Sequence, residues 1–177
     1  QEKTFGIAPA ALTVTPDAGQ SKIYGATDPA LTYTVTGAVA GETPFFTGAL
    51  VRAAGEAVGT TAITQGSLAL ADNGAFKAAN YSLVVADGVT FAITAKNALA
   101  FSVADIEPVP YDGTAHTPEP EVKDGDTVLV KDVDYVLSYT ANTNAGTATV
   151  TVIGLGNYSG TQEKTFAIAP AALTVTP

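Results

Sequence analysis

The chain of 177 residues contains no cysteine, methionine or tryptophan, one histidine (His116) and one arginine (Arg52). Without cysteine it can form no disulfide and perform no thiol chemistry. Because methionine is missing there is no initiator residue, and we expect the chain to be a fragment or a processed product. No apolar run approaches the about 20 residues that a membrane helix needs, and no signal peptide is visible. We therefore predict no membrane insertion by this segment.

Positive charge is also scarce, with 8 Lys and Arg against 17 Asp and Glu and a net charge of -9. Such a surface repels phosphate backbones, which excludes nucleic acid as a natural partner. An enzyme needs convergent polar groups, yet the sequence offers only His116, in TAHTPEP, and no G-x-S-x-G elbow. We interpret His116 as an ordinary surface loop residue, and we predict no catalytic residues, no cofactor and no enzymatic activity.

Alternation of apolar and polar residues is what the chain has in abundance. Inward positions recur at every second residue in LTYTVT, in the run from Gly146 to Val152 and in DYVLSYT. This period of two indicates strands with one wet face, and 17 Gly and 10 Pro between short apolar runs indicate frequent turns. No long window has helical periodicity. The pattern predicts an all-β chain of β-sandwich modules, each with six to eight short strands and almost no helix.

The two ends of the chain have almost the same sequence, QEKTFGIAPAALTVTP at 1–16 and QEKTFAIAPAALTVTP at 162–177. The simplest explanation is a slice cut from a longer tandem array. We expect residues 1–9 to be the last strand of a preceding module and residues 171–177 to be the first strand of a following one. QEKTFAIA at 162–169 should then close the second module.

A weaker repeat lies inside the first. Both halves contain, in the same order, an AL strand, YG or YDG, a GT strand, NYS and TFAI. We interpret them as two diverged copies of one scaffold, at 10–95 and 96–170. The first copy carries an insertion of about ten residues, which we place within SLALADNGAFKAA.

These marks resemble known repeat families. GQSKIYGATDPALTYTVTG resembles the bacterial MBG repeat of the YGX type, whereas VPYDGTAHTPEPEVKDG, DYVLSYTANTNAGTATVTVIGLGNYSGT and TFAI resemble YDG-type repeats. Both families are immunoglobulin-like modules found in tandem in large bacterial surface proteins, often described as adhesins. The resemblance implies two tandem immunoglobulin-like β-sandwiches in a secreted, cell-surface or cell-wall protein. Neither family has established catalytic residues, so the resemblance implies none here.

Two functions fit these expectations. In the first, the monomeric modules are a non-enzymatic part of a stalk, have neighbouring repeats as their partners and project a distal binding domain. In the second, they bind a host glycan or protein through loops at a sandwich end, which predicts exposed aromatic or arginine anchors. Arg52 is the only arginine. Of the adjacent Phe45 and Phe46, one should be exposed or cover the joint between the modules, because neighbours on a strand face opposite sides.

Four acidic residues occur in DGDTVLVKDVD, namely Asp124, Asp126, Asp132 and Asp134. Their carboxylates suit Ca²⁺, but hairpin turns also use Asp and Gly. The stretch lacks EF-hand spacing and a distal Glu, and we predict no metal site.

Lys164 shares parity with Phe166 and should point inward. It either sits where its amine can reach water or forms an isopeptide bond to an Asn or Asp; we predict a free amine. Tyr81 and Tyr158 of the NYS motifs are either corner tyrosines bonded to the backbone or simple aromatic plugs. Asn80 and Asn157 formally occupy glycosylation sequons, which we interpret as structural turns.

Overall fold

The computed structural model describes residue 3 and residues 5–173, which form two compact units, the first ending at Thr94 and the second beginning at Ala95. Helix is confined, in this part of the chain, to two 3₁₀ turns of three residues each, and the all-β prediction is confirmed. Neither turn approaches the length and apolarity needed to cross a membrane, and the described residues contain no other helix.

The first unit is a β-sandwich. Its strands are β1 (Ala10–Pro16), β2 (Ser21–Ile23), β3 (Tyr33–Thr36), β4 (Phe46–Thr47), β5 (Val51–Arg52), β6 (Gly59–Thr64), β7 (Ala69–Leu70), β8 (Tyr81–Val85) and β9 (Thr90–Thr94), with a 3₁₀ turn at Ala78–Asn80. One sheet has the order β3-β1-β8 and the other β2-β9-β6-β5, while β4 pairs with β7. Val14 of the first sheet packs in one core cluster with Phe91 and Ile93 of the second.

The second unit contains β10 (Lys96–Asn97), β11 (Phe101–Val103), β12 (Val109–Pro110), β13 (Val122–Asp124), β14 (Thr127–Val128), β15 (Tyr135–Thr140), β16 (Gly146–Gly154), β17 (Tyr158–Ser159) and β18 (Thr161–Ala169), with a 3₁₀ turn at Ala98–Ala100. Its largest sheet has the order β12-β18-β16-β15, beside β11-β13-β14 and the pair β10-β17. Ala148, Phe166 and Ile168 form a buried cluster on the large sheet.

The large sheets of the two units have the same strand order, and the sequence motifs of the internal repeat occupy equivalent positions in it. Ile93 pairs with Gly59 in the first unit, and Ile168 pairs with Gly146 in the second. Each glycine opens a strand at a φ near +140°, which residues with a Cβ rarely adopt. The glycine of the GT motif is therefore required by the backbone.

The YG and YDG motifs also have equivalent positions. The Tyr24 N–H donates to the Thr94 carbonyl over 2.8 Å, and the Tyr111 N–H donates to the Ala169 carbonyl over the same distance. Both bonds extend a short parallel pairing beside the TFAI strand. The motif thus ends the strand that runs along the closing strand of its unit.

Side-chain parity follows the sequence pattern in the strands that it predicted. In LTYTVT the inward residues are half-buried and the threonines exposed, and Ala148, Val150 and Val152 are fully buried. The extra stretch of the first unit is packed rather than looped out, because Leu68 and Phe76 are only 1% exposed. The insertion therefore adds apolar core to the first unit.

The AL strand that the sequence predicts for the second copy, the strand-like run ALAFSV at 98–103, is a strand only in part. Its first half is the 3₁₀ turn Ala98–Ala100, and only Phe101–Val103 is strand. The Asn97 side chain accepts a hydrogen bond from the Leu99 N–H at 2.9 Å and starts the turn. Leu99 is consequently exposed, whereas Leu12 on β1 is buried.

The two copies of the repeated end words have different environments. Residues 5–9 lie outside any strand, and Phe5 and Ile7 are 85% and 89% exposed. The C-terminal copy of this sequence forms β18, where Phe166 and Ile168 are 4% and 2% exposed. Residues 171–173 are also outside strands, and 174–177 lie beyond the described residues.

Candidate functional site

Four charged residues meet at the edges of the large sheet of the first unit. We call Lys22, Asp28, Arg52 and Glu56 the charged cluster. Lys22 on β2 is paired with Ile93, and Arg52 on β5 is paired with Ile63, so both lie in rows that carry buried core residues. The side chains of Lys22 and Arg52 are only 5% and 8% exposed. The sheet therefore brings together charges that are 34 residues apart in sequence.

The two carboxylates of the cluster are shared between the two cations. Lys22 Nζ lies 2.6 Å from Asp28 Oδ1 and 2.5 Å from Glu56 Oε2. Arg52 holds Asp28 with both arms of a fork, through Nε at 2.6 Å and Nη2 at 3.1 Å, and Nη2 also binds Glu56. Such bidentate, charge-assisted bonds are the strongest that a carboxylate makes with a side chain.

The remaining donors of Arg52 are also occupied. Nη1 donates to the carbonyl oxygens of Ala53 and Gly55, so all three guanidinium nitrogens have acceptors. The guanidinium carbon lies 5.7 Å from the centroid of the Phe91 ring, within the range of a cation–π contact. Arg52 has no free arm to offer an external anion, and its contacts fix the loop that follows β5.

The ionisation of the cluster follows its hydrogen bonds. The Arg52 guanidinium, followed by Lys22, lowers the pKa of Asp28 to about 2. Lys22, followed by Arg52, lowers the pKa of Glu56, and the bond to Asp28 is the main cause of the raised pKa of Lys22. All four groups are charged near neutral pH and balance one another. The cluster thus offers neither a proton donor nor a base tuned for catalysis.

The second unit has uncharged side chains at the places of Lys22 and Arg52. Val109 pairs with Ile168 where Lys22 pairs with Ile93, and Tyr139 stands beside Val150 as Arg52 stands beside Ile63. The Tyr139 hydroxyl donates to the Pro118 carbonyl at 2.8 Å. At equivalent positions, the first unit therefore has ion-paired cations and the second has a valine and a hydrogen-bonded tyrosine. Such an exchange is expected where these side chains stabilise the fold.

Tyr81 of the first NYS motif combines both interpretations that the sequence left open, and Tyr158 of the second is a plug whose hydroxyl lies near a side chain. Tyr81 is 6% exposed and stacks on Phe76, and its hydroxyl accepts from the Val39 N–H at 3.0 Å and donates to Glu42 at 2.7 Å. Tyr158 is equally buried and meets Phe101 edge-on, with its hydroxyl 3.5 Å from Asp124. Both are aromatic plugs, and the Tyr81 hydroxyl is anchored to the backbone.

The asparagines before these tyrosines occupy turns. Asn80 ends the 3₁₀ turn that leads into β8, and the Asn157 carbonyl accepts from the Lys96 N–H at 3.0 Å just before β17. These positions fit the interpretation of NYS as a structural turn.

His116 is more buried than an ordinary surface loop residue, which corrects that part of the expectation. Its side chain is 15% exposed, and Nε2 lies 3.4 Å from Asp112 Oδ1. The backbone N–H of His116 donates to the Asn142 carbonyl, and the side-chain amide of Asn142 donates to the His116 carbonyl. This reciprocal pair of hydrogen bonds joins the two loops.

The four acidic residues of DGDTVLVKDVD have separate tasks. Asp124 binds Lys96 Nζ at 2.5 Å, Asp126 lies in the turn between β13 and β14, and Asp134 accepts from the Val130 N–H at 2.9 Å. Asp132 adopts a positive φ of 66°, which Asp tolerates in turns. Across the described residues, no three His, Asp or Glu side chains are arranged to hold a metal ion.

Lys164 lies on the inward row of β18, opposite Val150, as its parity predicted. Its side chain is 32% exposed, and Nζ meets Asp105 Oδ1 at 2.6 Å. The Asp105 side chain is 92% exposed and its pKa is lowered by Lys164. The arrangement is an ion pair at the rim of the sheet.

The adjacent phenylalanines behave as the sequence predicted, since Phe45 is 41% exposed while Phe46 packs against the core. The charged cluster, by contrast, was missed. Its one sequence signal is that a single arginine among 17 acidic residues should find a carboxylate.

Comparison with known proteins finds a family that resembles the first unit. Residues 12–92 match the family model of the MBG domain of the YGX type, so the suspected MBG resemblance is confirmed for this stretch. The match runs from Leu12 in β1 to Ala92 in β9, slightly less than half of the chain. No curated protein and no solved structure matches the chain.

Proposed function

We propose that this chain is a non-enzymatic structural repeat of a bacterial surface adhesin and forms part of an extended stalk that projects a distal binding domain. The observation that carries the proposal is the recurrence of one sheet order, β2-β9-β6-β5 and β12-β18-β16-β15, in a unit with an MBG match and in the next. Repetition of one scaffold builds length in quasi-linear arrays.

Several groups of polar residues support this role because they bond to one another. The charged cluster and the anchored tyrosine Tyr81 join loops to strands, and the His116–Asn142 pair joins two loops, each within one unit. A site for substrate needs convergent groups that remain available to it. A stalk segment needs only that each unit stays folded, with neighbouring repeats of the same chain as its partners and an extracellular or cell-wall location.

One observation favours a second candidate, an adhesive module that binds a host glycan or protein directly. Phe45 is an exposed aromatic residue next to the core residue Phe46, in the loop region before β4. Aromatic side chains on a rigid support are common anchors of recognition.

A binding screen separates the two functions. The purified chain is applied to a glycan array and to a panel of host matrix proteins, beside Phe45→Ser and the matched exposed-residue variant Val128→Ser. The stalk proposal expects no saturable binding by any of the three proteins. Saturable binding that Phe45→Ser abolishes and Val128→Ser retains would overturn it in favour of the adhesive module.

A further inference from the structure

In each unit the closing strand runs parallel to a short strand from the N-terminal half of that unit. In the first unit β2 pairs in parallel with β9 through Ser21↔Ala92, Lys22↔Ile93 and Ile23↔Thr94. Backbone bonds extend this pairing on both sides, from Ala92 N–H to Gln20 and from Tyr24 N–H to Thr94. In the second unit β12 pairs in parallel with β18 through two residue pairs, Val109↔Ile168 and Pro110↔Ala169, and one backbone bond, from Tyr111 N–H to Ala169, extends this pairing.

This polarity decides how tension acts on a unit. A pull on the chain reaches β2 once β1 has detached, and it then draws β2 toward its N-terminal end and β9 toward its C-terminal end. Since the strands are parallel, they are forced to slide along each other, and the bonds between them are loaded together instead of opening one after another. The resistance therefore grows with the number of bonds in the pairing, each of which contributes to the barrier.

The N-terminal strands of the first unit have more residue pairs than those of the second, although the central pairing β16–β18 of the second unit, with eight pairs, is longer than β6–β9, with four. Strand β1 is held in parallel to β8 by five residue pairs, whereas β10 is held to β17 by two. On the antiparallel side β1 has four pairs with β3, and β11 has three with β13. The N-terminal strands of the second unit are therefore easier to detach.

The charged cluster adds to this difference. Lys22 lies in the middle of β2 and is bonded to Asp28 and Glu56, and the Thr94 hydroxyl donates to the Lys22 carbonyl at 3.2 Å. The equivalent residue of β12 is Val109, whose side chain can make no ion pair. Sliding of β2 must therefore break side-chain bonds that sliding of β12 does not encounter.

We propose that both units are shear clamps of graded strength, so that under tension the second unit unfolds before the first. The inference rests on the proposed stalk role for its biological meaning, but the order of unfolding is a property of the two folds. The second unit acts as the weaker link that lengthens the chain and relieves the load, while the first unit remains folded. A difference of a few backbone bonds corresponds to an about tenfold or larger ratio of unfolding rates at one force.

Single-molecule force spectroscopy tests this on the full chain held between marker domains. Cysteine pairs assign the events, since the natural chain has no cysteine. In Ser21→Cys/Ala92→Cys a disulfide joins β2 to β9, and in Pro110→Cys/Ala169→Cys it joins β12 to β18. Each oxidised variant should lose the extension of its own unit, and a reducing agent should restore it.

We expect two unfolding events, with the low-force event lost in oxidised Pro110→Cys/Ala169→Cys and the high-force event lost in oxidised Ser21→Cys/Ala92→Cys. The opposite assignment, or equal forces, would overturn the inference. Lys22→Met should lower the force of the first unit toward that of the second. Failure of this ranking would leave the stalk role standing, whereas binding in the glycan screen would reject the stalk role and leave the ranking intact.

Discussion

Lys22 is the one charged residue that is buried among the described residues, and its environment shows how the fold tolerates it. Removing a charge from water is costly unless it is paired and its hydrogen bonds are satisfied. Here two cations share two carboxylates whose outer faces remain exposed, at 43% for Asp28 and 61% for Glu56. Water still solvates part of the cluster, which lowers the cost of burying the ammonium.

The cluster predicts an acid-sensitive contribution to stability. The folded pKa of Asp28, about 2, lies below its ordinary value of 3.8, so the ionised form is favoured in the folded state. Its contribution is complete above about pH 4 and is lost as the pH falls toward 2. Asp28→Asn should lower the Tm of the first unit at pH 7, and the gap between variant and wild type should narrow between pH 4 and 2. Circular dichroism melts over this range measure the gap.

Asp126→Asn is the control for this series, because it removes a carboxylate from a turn of the second unit. It should leave the melting of the first unit unchanged at every pH. A constant gap between Asp28→Asn and wild type down to pH 2 would mean that the ionisation of Asp28 does not stabilise the folded state.

Lys164 should carry a free amine. Amide formation with Asp105 requires a neutral carboxyl group that loses water, but Lys164 lowers the pKa of Asp105 and solvent surrounds its carboxylate. The intact mass of the purified chain should therefore equal the sequence mass. A mass lower by one water or one ammonia would contradict this, and Lys164→Arg, which retains the charge, should then restore the sequence mass.

At the scale of strands, the sequence predicted most of what short-range physics controls. Alternation placed Tyr33, Val150 and Phe166 on the correct faces, because a strand with one wet face repeats every two residues. The turn at Ala98–Ala100 was missed because a single Asn97 side chain bond competes with the apolar run that follows. The charged cluster was missed because only the pairing of β2, β9, β6 and β5 brings its members together.

The repeated end sequence allows one substitution to be compared in two structural environments. Phe166→Ala removes a ring that is 4% exposed in β18 and should destabilise the second unit by about 3–5 kcal/mol. Phe5→Ala makes the same change in the N-terminal copy of this sequence. The Phe5 ring is 85% exposed, so the substitution should alter stability by less than about 0.5 kcal/mol. Urea titration of both variants gives the two values.

Deletion of the copies extends the comparison. Removal of residues 1–9 should leave the Tm nearly unchanged, whereas removal of 162–177 should unfold the second unit, because it takes away β18 between β12 and β16. If the first deletion were the destructive one, the N-terminal copy would supply the closing strand, and the module boundaries would be permuted.

For the molecule as a whole, the net charge of -9 raises the question of cations. Acidic proteins collect divalent ions diffusely, but a specific site needs several oxygen ligands around one position. The carboxylates of Asp124 and Asp134 already accept hydrogen bonds from Lys96 and Val130, and Asp126 occupies a turn. These acidic residues therefore have structural roles. Their net negative charge also makes separate chains repel one another in solution.

We therefore predict that the thermal stability of the chain is independent of chelation. Melting curves in EDTA and in millimolar CaCl₂ should coincide once NaCl equalises the ionic strength, since screening alone acts on every charge. A specific ion bound only to the folded state would add about 2.7 kcal/mol at a hundredfold excess over its Kd. A calcium-dependent rise in Tm that Asp126→Asn or Asp132→Asn removes, and Asp87→Asn in the first unit does not, would show that the acidic stretch forms a site after all.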